Sequence, residues 1–350
     1  MTPVAGELSE VTSVTGGPAF RAKTAGDSAA GDGAAGANAA GDGPATGERT
    51  VLVALSGGPD SLALAAATAF EARRAGIRAG AVIVDHGLQP GSADVAARAA
   101  GQARELGLDP VIVTTVVVGS EGGPEAAART ARYSALAAAA RETGATRVLL
   151  GHTRDDQAES VLLGLARGSG LGSIKGMAAE SGIYLRPLLA IARATTVQFC
   201  SDSGLQPWND PQNDDERFAR VRVRQSVLPM LERELGPGFA EALARTADLA
   251  REDTDALDQF ATDQLDELAE HAEAGISLQV KALEHNPPAL RQRIIRATVL
   301  AEFGVSLSRT QTLEVSRLVT DWHGQSAIAL PGISVERVGG LLHFRSTQSG

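Results

Sequence analysis

Six consecutive residues, Ser56-Gly57-Gly58-Pro59-Asp60-Ser61, hold the densest phosphate-binding chemistry in the sequence. They follow a short apolar run at 51–55 and precede a segment with the apolar spacing of a helix. Paired glycines let successive backbone N–H groups turn inward as a nest for anionic oxygens. A helix N-terminus just behind them adds partial positive charge, and the two serine hydroxyls are further donors. No Gly-Lys-Ser/Thr follows, so this is not a Walker A loop. The plainer alternative is a strand-to-helix turn capped by Asp60 or Ser61; the buried strand ahead of it favours phosphate.

A second constellation lies at 152–159, where His152, Asp155, Asp156 and Glu159 recur at spacings of three and four and so share one helix face. Thr153 with Asp156 has the pattern of a capping box, and acids stabilise a first helical turn in any case. Capping does not need all three carboxylates, and such a cluster suits a cationic amine. Asp85 and His86 end another apolar run, where Asp85 can accept from a ribose hydroxyl or an adenine amine, hold magnesium, or merely shape a turn with Gly87. Arg129 and Arg132 are about one turn apart. Arg217, Arg220, Arg222 and Arg224 form a basic run in which Arg220 and Arg224 share a face and Arg222 points elsewhere. That division suggests two jobs, phosphate contact and contact with the substrate site.

These residues need a scaffold. Short apolar runs at 51–55, 79–85, 111–118 and 147–151, with another near 184–188, alternate with helical patterns at 61–75, 93–106 and 125–143. This predicts an α/β fold, a parallel Rossmann-like sheet with helices on both faces. In such sheets ligands sit beyond the C-terminal strand ends, where each constellation falls. A helix is expected at 214–234, interrupted near Pro229, then a smaller α-rich domain with helices at 240–272, 288–302 and 309–322 and a terminal hairpin of 333–338 and 341–345 about Gly339-Gly340. The expected organisation is a tail at 1–48, disordered and rich in Ala and Gly, a catalytic domain at 49–236, and a substrate-binding α+β domain at 237–346.

The 350 residues are 43% hydrophobic but only 3% aromatic, so the core must be largely aliphatic. A net charge of −10 argues against a protein that coats nucleic acid at large, not against a local arginine groove. Cys200 is the single cysteine, which excludes a disulfide framework and a CxxC metal or redox pair. No run has the length of a membrane span, and a cytoplasmic location is expected.

The loop Ser56–Ser61 resembles the pyrophosphate loop of the N-type ATP pyrophosphatases, which implies cleavage of ATP between its α and β phosphates and adenylation of a substrate. The motifs Val84-Asp85-His86-Gly87-Leu88 with Ser92, then Glu125 with Arg129, Arg132 and Tyr133, narrow the resemblance. So do Gly151-His152-Thr153-Arg154-Asp155-Asp156-Gln157-Ala158-Glu159, Arg167-Gly168-Ser169-Gly170, Arg186-Pro187-Leu188, Asp210-Pro211-Gln212-Asn213 and Phe218 with its arginines. In order and content these resemble the tRNA(Ile)-lysidine synthetase family over about residues 50–235. The resemblance implies a ligase that joins free L-lysine to the wobble cytidine of the CAU-anticodon isoleucine tRNA, with ATP as co-substrate and Mg2+ beside it. It implies ATP contact by Ser56, Gly57, Gly58, Pro59, Asp60, Ser61, Asp85 and His86, and catalytic roles for Asp60, Asp85, Arg129, His152 and Asp156. Lysine binding falls to Asp155, Glu159 and Arg222, tRNA contact to Arg167, Arg220 and Arg224, and a metal-ligand role to Asp60. The family usually has Asn where this chain has Val221. Rival readings are a tRNA thiolase, which the isolated Cys200 disfavours, a synthetase acting on a small metabolite, and a non-catalytic nucleotide- or RNA-binding module. Monomer and homodimer both stay open.

Overall fold

The computed structural model describes residues 49–87, 89, 91–119, 123–168, 170–272 and 275–347. The tail at 1–48, Leu88 and Ser169, and the side chain of Glu125, all singled out above, lie outside the described residues.

The first half is the expected alternation. Strands β1 (Thr50–Ala54), β2 (Arg78–Asp85), β3 (Val111–Thr115) and β4 (Arg147–Leu150) are separated by helices α1 (Pro59–Ala75), α2 (Ser92–Glu105) and α3 (Pro124–Thr143). Helix α4 (Arg154–Arg167), the short α5 (Leu171–Ile174), the two-residue strands β5 (Glu180–Ser181) and β6 (Tyr184–Leu185), and α6 (Arg193–Asp202) follow. The sheet order is β3-β2-β1-β4-β6-β5, parallel throughout except β5. The chain reverses its direction of progress between β1 and β4, so a crevice opens beyond their C-terminal ends, where α/β sheets bind ligands. One face is packed by α1, α2 and α6 through Val53, Leu62, Ala99 and Cys200, the other by α3 through Leu52, Leu136 and Val148. Strand β3 stops at Thr115, short of the expected 118, because its neighbour β2 offers Asp85 as its last pairing residue.

The expected helix at 214–234 is broken into pieces. A 3-10 turn at Pro211–Asp214 ends where the Asp215 carboxylate accepts the backbone N–H of Arg217 at 3.0 Å, competing with the helical ladder. Helix α7 (Ala219–Arg222) passes through a π turn at Val223–Val227 into α8 (Leu228–Leu235). Pro229 has no N–H to return to the preceding turn, and the ladder is widened just ahead of it.

Helix α9 (Phe239–Leu268) ends four residues before the expected 272, because Ala269 turns extended and β7 (Ala269–Ala272) pairs with β8 (Gly275–Gln279). Helices α10 (Val280–His285), α11 (Pro288–Phe303) and α12 (Arg309–Thr320) then cover a five-stranded antiparallel sheet, β7-β8-β11-β10-β9, completed by β9 (Ile328–Leu330), β10 (Ile333–Val338) and β11 (Leu341–Ser346). The β10–β11 hairpin turns at Gly339-Gly340, as expected. The N-terminal part of α9 shares a core with α4 and the π turn through Leu243 and Ala247, whereas Ala261 and Leu265 belong to the C-terminal core. The packing therefore changes over within α9 rather than at Pro237. No helix among the described residues is long and apolar enough to cross a membrane.

Gly151, just after β4, lies so close to the start of α1 that an added Cβ would meet the Cα of Ser61 at 2.9 Å and its N at 3.0 Å. Both are backbone atoms that no rotamer change can move. Gly151→Ala is expected to push α1 off β4, destabilising the fold by about 1–3 kcal/mol and weakening ATP binding more than its stability loss explains. Thermal unfolding and nucleotide titration of the same variant check this.

Candidate active site

The turn from β1 into α1 is held by its own serines. The Ser61 hydroxyl accepts the Ser56 N–H at 3.1 Å, lies 3.0 Å from the Ser56 hydroxyl, and donates to the Gly58 carbonyl at 3.0 Å. Gly57 has φ of 85°, a conformation that L side chains rarely adopt. Its carbonyl accepts the Trp208 N–H at 2.8 Å, which draws the 208–212 segment over the loop. Pro59 occupies the first turn of α1 and leaves the remaining N–H groups of that turn toward the crevice.

Beside this loop is a cleft of about 270 Å³, lined by Ser56, Asp85, His86, Arg132, Trp208 and Asp210, among others. The Asp85 carboxylate accepts the Gly87 N–H at 2.9 Å, so it shapes the turn and faces the cleft together. Gln89 donates to Asp210 at 3.1 Å and ties the β2 loop to the 208–212 segment. Burial first, then Arg132, lowers the pKa of His86 against a smaller opposing effect of Asp85, and its buried Nδ1 has no hydrogen-bond partner.

The acids of α4 form a charge network that no motif announced. Arg193, the first residue of α6, donates to Asp60 at 3.1 Å, Asp156 at 2.7 Å and Glu159 at 3.2 Å. Its own backbone N–H goes to Asp155 Oδ2 at 2.8 Å. Arg224 grips both oxygens of Glu159 at 2.7 and 3.1 Å, and Arg220 Nε stands 3.3 Å from the same carboxylate. The Glu159 side chain is 0% exposed, so as folded it is enclosed by three guanidiniums. Thr196 donates to the other oxygen of Asp60. The Asp156 carboxylate accepts the N–H and hydroxyl of Thr153 at 2.8 and 3.0 Å, the anticipated capping box. Burial pushes the Asp156 carboxyl up, but Arg193, the Thr153 donors and His152 together hold it below the usual range. Burial lowers the pKa of Arg193, yet Asp156, Glu159 and Asp60 outweigh it and raise the net value.

A second basic group faces the other side. Arg186 is buried, donates to the Ala178 carbonyl at 2.8 Å and lies 3.3 Å from the Tyr133 hydroxyl. Arg129, exposed, stacks 4.9 Å over the Tyr133 ring. Arg132 has its pKa lowered by burial, with Arg129, Arg220 and Arg186 acting the same way against Tyr133, and its buried Nε has no partner. Next to them burial drives His152 down to about 4, Arg132, Arg186 and Arg129 acting with it and Asp156 against; its Nδ1 is unpartnered. His152 is therefore a neutral imidazole near pH 7.

The comparisons with known proteins fit this geometry. A family model described as a PP-loop domain matches residues 37–231, and one described as the TilS substrate binding domain matches residues 278–343. The chain is 63% identical to a tRNA(Ile)-lysidine synthase of Leifsonia xyli subsp. xyli over 295 residues, 84% of this chain and 89% of that protein. The chain belongs to the tRNA(Ile)-lysidine synthase family. The Streptomyces coelicolor protein of that name is 53% identical over 306 residues, covering 84% and 85% of the two chains. Among solved structures, the U34-tRNA thiolase NcsA from Methanococcus maripaludis, with its [4Fe-4S] cluster, matches with a TM-score of 0.50 at 19% identity, over 58% of this chain and 72% of that one. That likeness is one of fold.

Within this family member the structure gathers Asp60, Asp155, Asp156, Glu159, Arg220 and Arg224 at one place, with Ser56, Asp85 and His86 in the adjoining cleft. The arginines divide by face as their spacing predicts. Arg220 and Arg224, assigned to tRNA, turn their shared face onto Glu159. Arg222, assigned to lysine, points away and donates to the carbonyls of Glu216 and Arg217 at 2.6 and 2.9 Å. Arg167 is exposed at the far end of α4, about 20 Å along the helix from Arg154. Val221 is buried, where an Asn would have to find partners. The missed residues are Arg193, Thr196 and Trp208; the one signal for Arg193 was the surplus of carboxylates on α4, which needs a counter-cation.

As folded, neither Asp60 nor Glu159 offers a free oxygen to magnesium. Both Asp60 oxygens are engaged, Glu159 is enclosed, and among the described residues no three His, Cys, Asp or Glu side chains group to hold a metal.

Arg193→Gln is expected to cost about 3–5 kcal/mol, because it leaves buried carboxylates underpaired, read as a lower urea midpoint. The His152 imidazole stays neutral in the fold between its ordinary pKa of 6.5 and about 4, while the unfolded chain takes up a proton there. Its contribution to stability is thus full above pH 6.5 and lost as pH falls toward 4. His152→Asn is expected to flatten the stability–pH curve in that window.

Proposed function

We propose that the chain uses ATP to activate the wobble cytidine of the CAU-anticodon isoleucine tRNA and then joins the lysine side-chain amine to C2, forming lysidine. The observation that carries this reading is the sharing of Arg193 between Asp60 of the phosphate loop and Asp156 and Glu159 of the acid face. That contact sets a site for phosphate chemistry beside one suited to an amine. Membership of the PP-loop family brings the use of ATP. Magnesium enters as part of the substrate, on the nucleotide's phosphates.

Adenosine occupies the cleft between Asp85, His86 and Trp208, with its phosphates over Ser56–Ser61. Cytidine O2 attacks the α-phosphorus, the bond to the bridging oxygen breaks, and pyrophosphate leaves into the N–H nest and the α1 N-terminus. The lysine amine then attacks C2, the C2–O2 bond breaks, and AMP departs with that oxygen. His152, uncharged and with Nδ1 free, is placed to hydrogen-bond the base rather than to carry charge. Arg132, Arg186 and Arg129 supply positive charge opposite the adenylated base.

Charge pairing points to the amine's position. Asp60, Asp156 and Glu159 are matched by Arg193, Arg220 and Arg224. Asp155 is the fourth acid, half-buried, with Oδ2 committed to an α6 amide and Oδ1 in no hydrogen bond with the described residues. Among these four acids Asp155 has no guanidinium partner in the described residues, and an ammonium would supply its counter-charge. The amine's reference pKa is about 10.4, so attack requires its proton to pass to an acceptor in the site. Of the four acids gathered around Arg193, Asp155 keeps an oxygen, Oδ1, with no hydrogen bond to the described residues.

The test is lysine incorporation: purified protein, magnesium ATP, labelled lysine, and unmodified CAU isoleucine tRNA beside the methionine CAU tRNAs. Label in the isoleucine tRNA alone supports the reading; no label with ATP–pyrophosphate exchange retained transfers the chemistry to another substrate. Asp155→Asn keeps the acceptor for the Arg193 N–H and removes only the charge. It is expected to raise the lysine KM about tenfold, one charge-assisted contact, with the ATP KM little changed. Equal rises would make Asp155 structural.

A further inference from the structure

A second concave site lies away from the nucleotide loop. It is a cleft of about 710 Å³ between the α5 segment, α9, α11 and the start of α12, and its cations are Lys175, Arg293, Arg296 and Arg309. The carboxylate in its wall is Asp258, which pairs with Arg293 at 2.8 Å; Asp255, just outside, stands 3.3 Å from Lys175. Four cations face two acids on a chain whose net charge is −10, so this is a local reversal of the protein's overall field.

Arg296 carries the argument furthest. It is half-buried, and its guanidinium makes no hydrogen bond or ion pair with the described residues. Burial and then Arg293 lower its pKa, Asp258 opposes them, and Arg309 adds a smaller lowering influence. The Arg309 side chain, exposed at the first turn of α12, is likewise unpaired among the described residues. Asp258 is already paired with Arg293 and is one carboxylate among three guanidiniums, so positive charge is left over in the cleft and an incoming anion is favoured there. The opposite lip is Gly170, Leu171 and Gly172, where an added Cβ at either glycine would meet nothing within 4 Å. Leu171 is 47% exposed there. An apolar side chain facing a cluster of guanidiniums suits a sugar lying beside its phosphate. Among the described residues no aromatic ring lines the cleft, and its guanidiniums suit phosphate. Lys175 lies in the part matched by the PP-loop model and the three arginines in the part matched by the substrate-binding model, so the cleft draws on both.

We propose that this cleft is a separate phosphodiester site, through which Arg296 and Arg309 grip the substrate tRNA backbone away from the reacting cytidine. The inference rests on the tRNA-ligase reading above. Such contacts hold and orient the RNA without reading its sequence, and each one neutralised adds about 0.9 to the slope of log affinity against log salt.

The experiment uses full-length protein with Arg296→Gln, Arg309→Gln and the double substitution. Binding of unmodified CAU isoleucine tRNA is titrated at several salt concentrations, alongside KM values for tRNA, ATP and lysine. Because neither side chain is bonded to the described residues, the melting temperatures are expected to match the parent. The double variant is expected to bind tRNA about tenfold more weakly, with the salt slope reduced by about 1.8, a raised tRNA KM, and unchanged KM for ATP and lysine. Parent-like tRNA affinity and slope in a folded double variant overturn the inference and leave the ligase reading standing. A parent protein that binds no tRNA overturns both. Equal loss of ATP and tRNA affinity also overturns it, since the cleft would then act through the catalytic fold.

Discussion

Three carboxylates from two helices converge on one guanidinium beneath the phosphate loop. Asp60 sits on α1, Asp156 and Glu159 on α4, and Arg193 at the start of α6 closes the triangle. None of the four can be charged and buried alone at acceptable cost, so each fixes the others. The position of α6 follows from this contact, reinforced by Asp155 on its first amide and Thr196 on Asp60. Such a network adds little net stability over an apolar packing of equal volume. Its consequence is geometric: the phosphate loop and the acid face cannot shift independently.

The same network explains why the broken helix after 215 matters. Glu159 needs Arg220 and Arg224 as well as Arg193, and those two come from α7 and the π turn. The turn packs Val223 and Leu228 against α4 and α9, so the cations are delivered by apolar packing. Helix α9 continues from that core into the C-terminal one. One helix is thus shared by the core beside α4 and the core beside the basic cleft.

Much of the scaffold was legible because it rests on local periodicity. Buried strands of four to eight residues alternate with helices, and the loops at their C-terminal ends carry Ser56–Ser61, Asp85 and His152. The limits of that legibility are equally physical. The strand at 269–272 has the composition of a helix end and becomes extended only because β8 offers it a partner. The short helix at 193–202 has weak amphipathic patterning, so its leading arginine carries no local signal of what it faces.

The sequence by itself determined the fold class, the phosphate loop, the acid face of α4 and the pairing of Arg220 with Arg224 on one side, since each depends on spacing of a few residues. Only the tertiary structure decided what those groups face. It turned Arg220 and Arg224 onto Glu159, sent Arg222 outward, inserted Arg193 from 34 positions beyond Glu159, and brought Lys175 opposite Arg296. Charge pairing across such separations is set by how helices pack, which no window of sequence encodes.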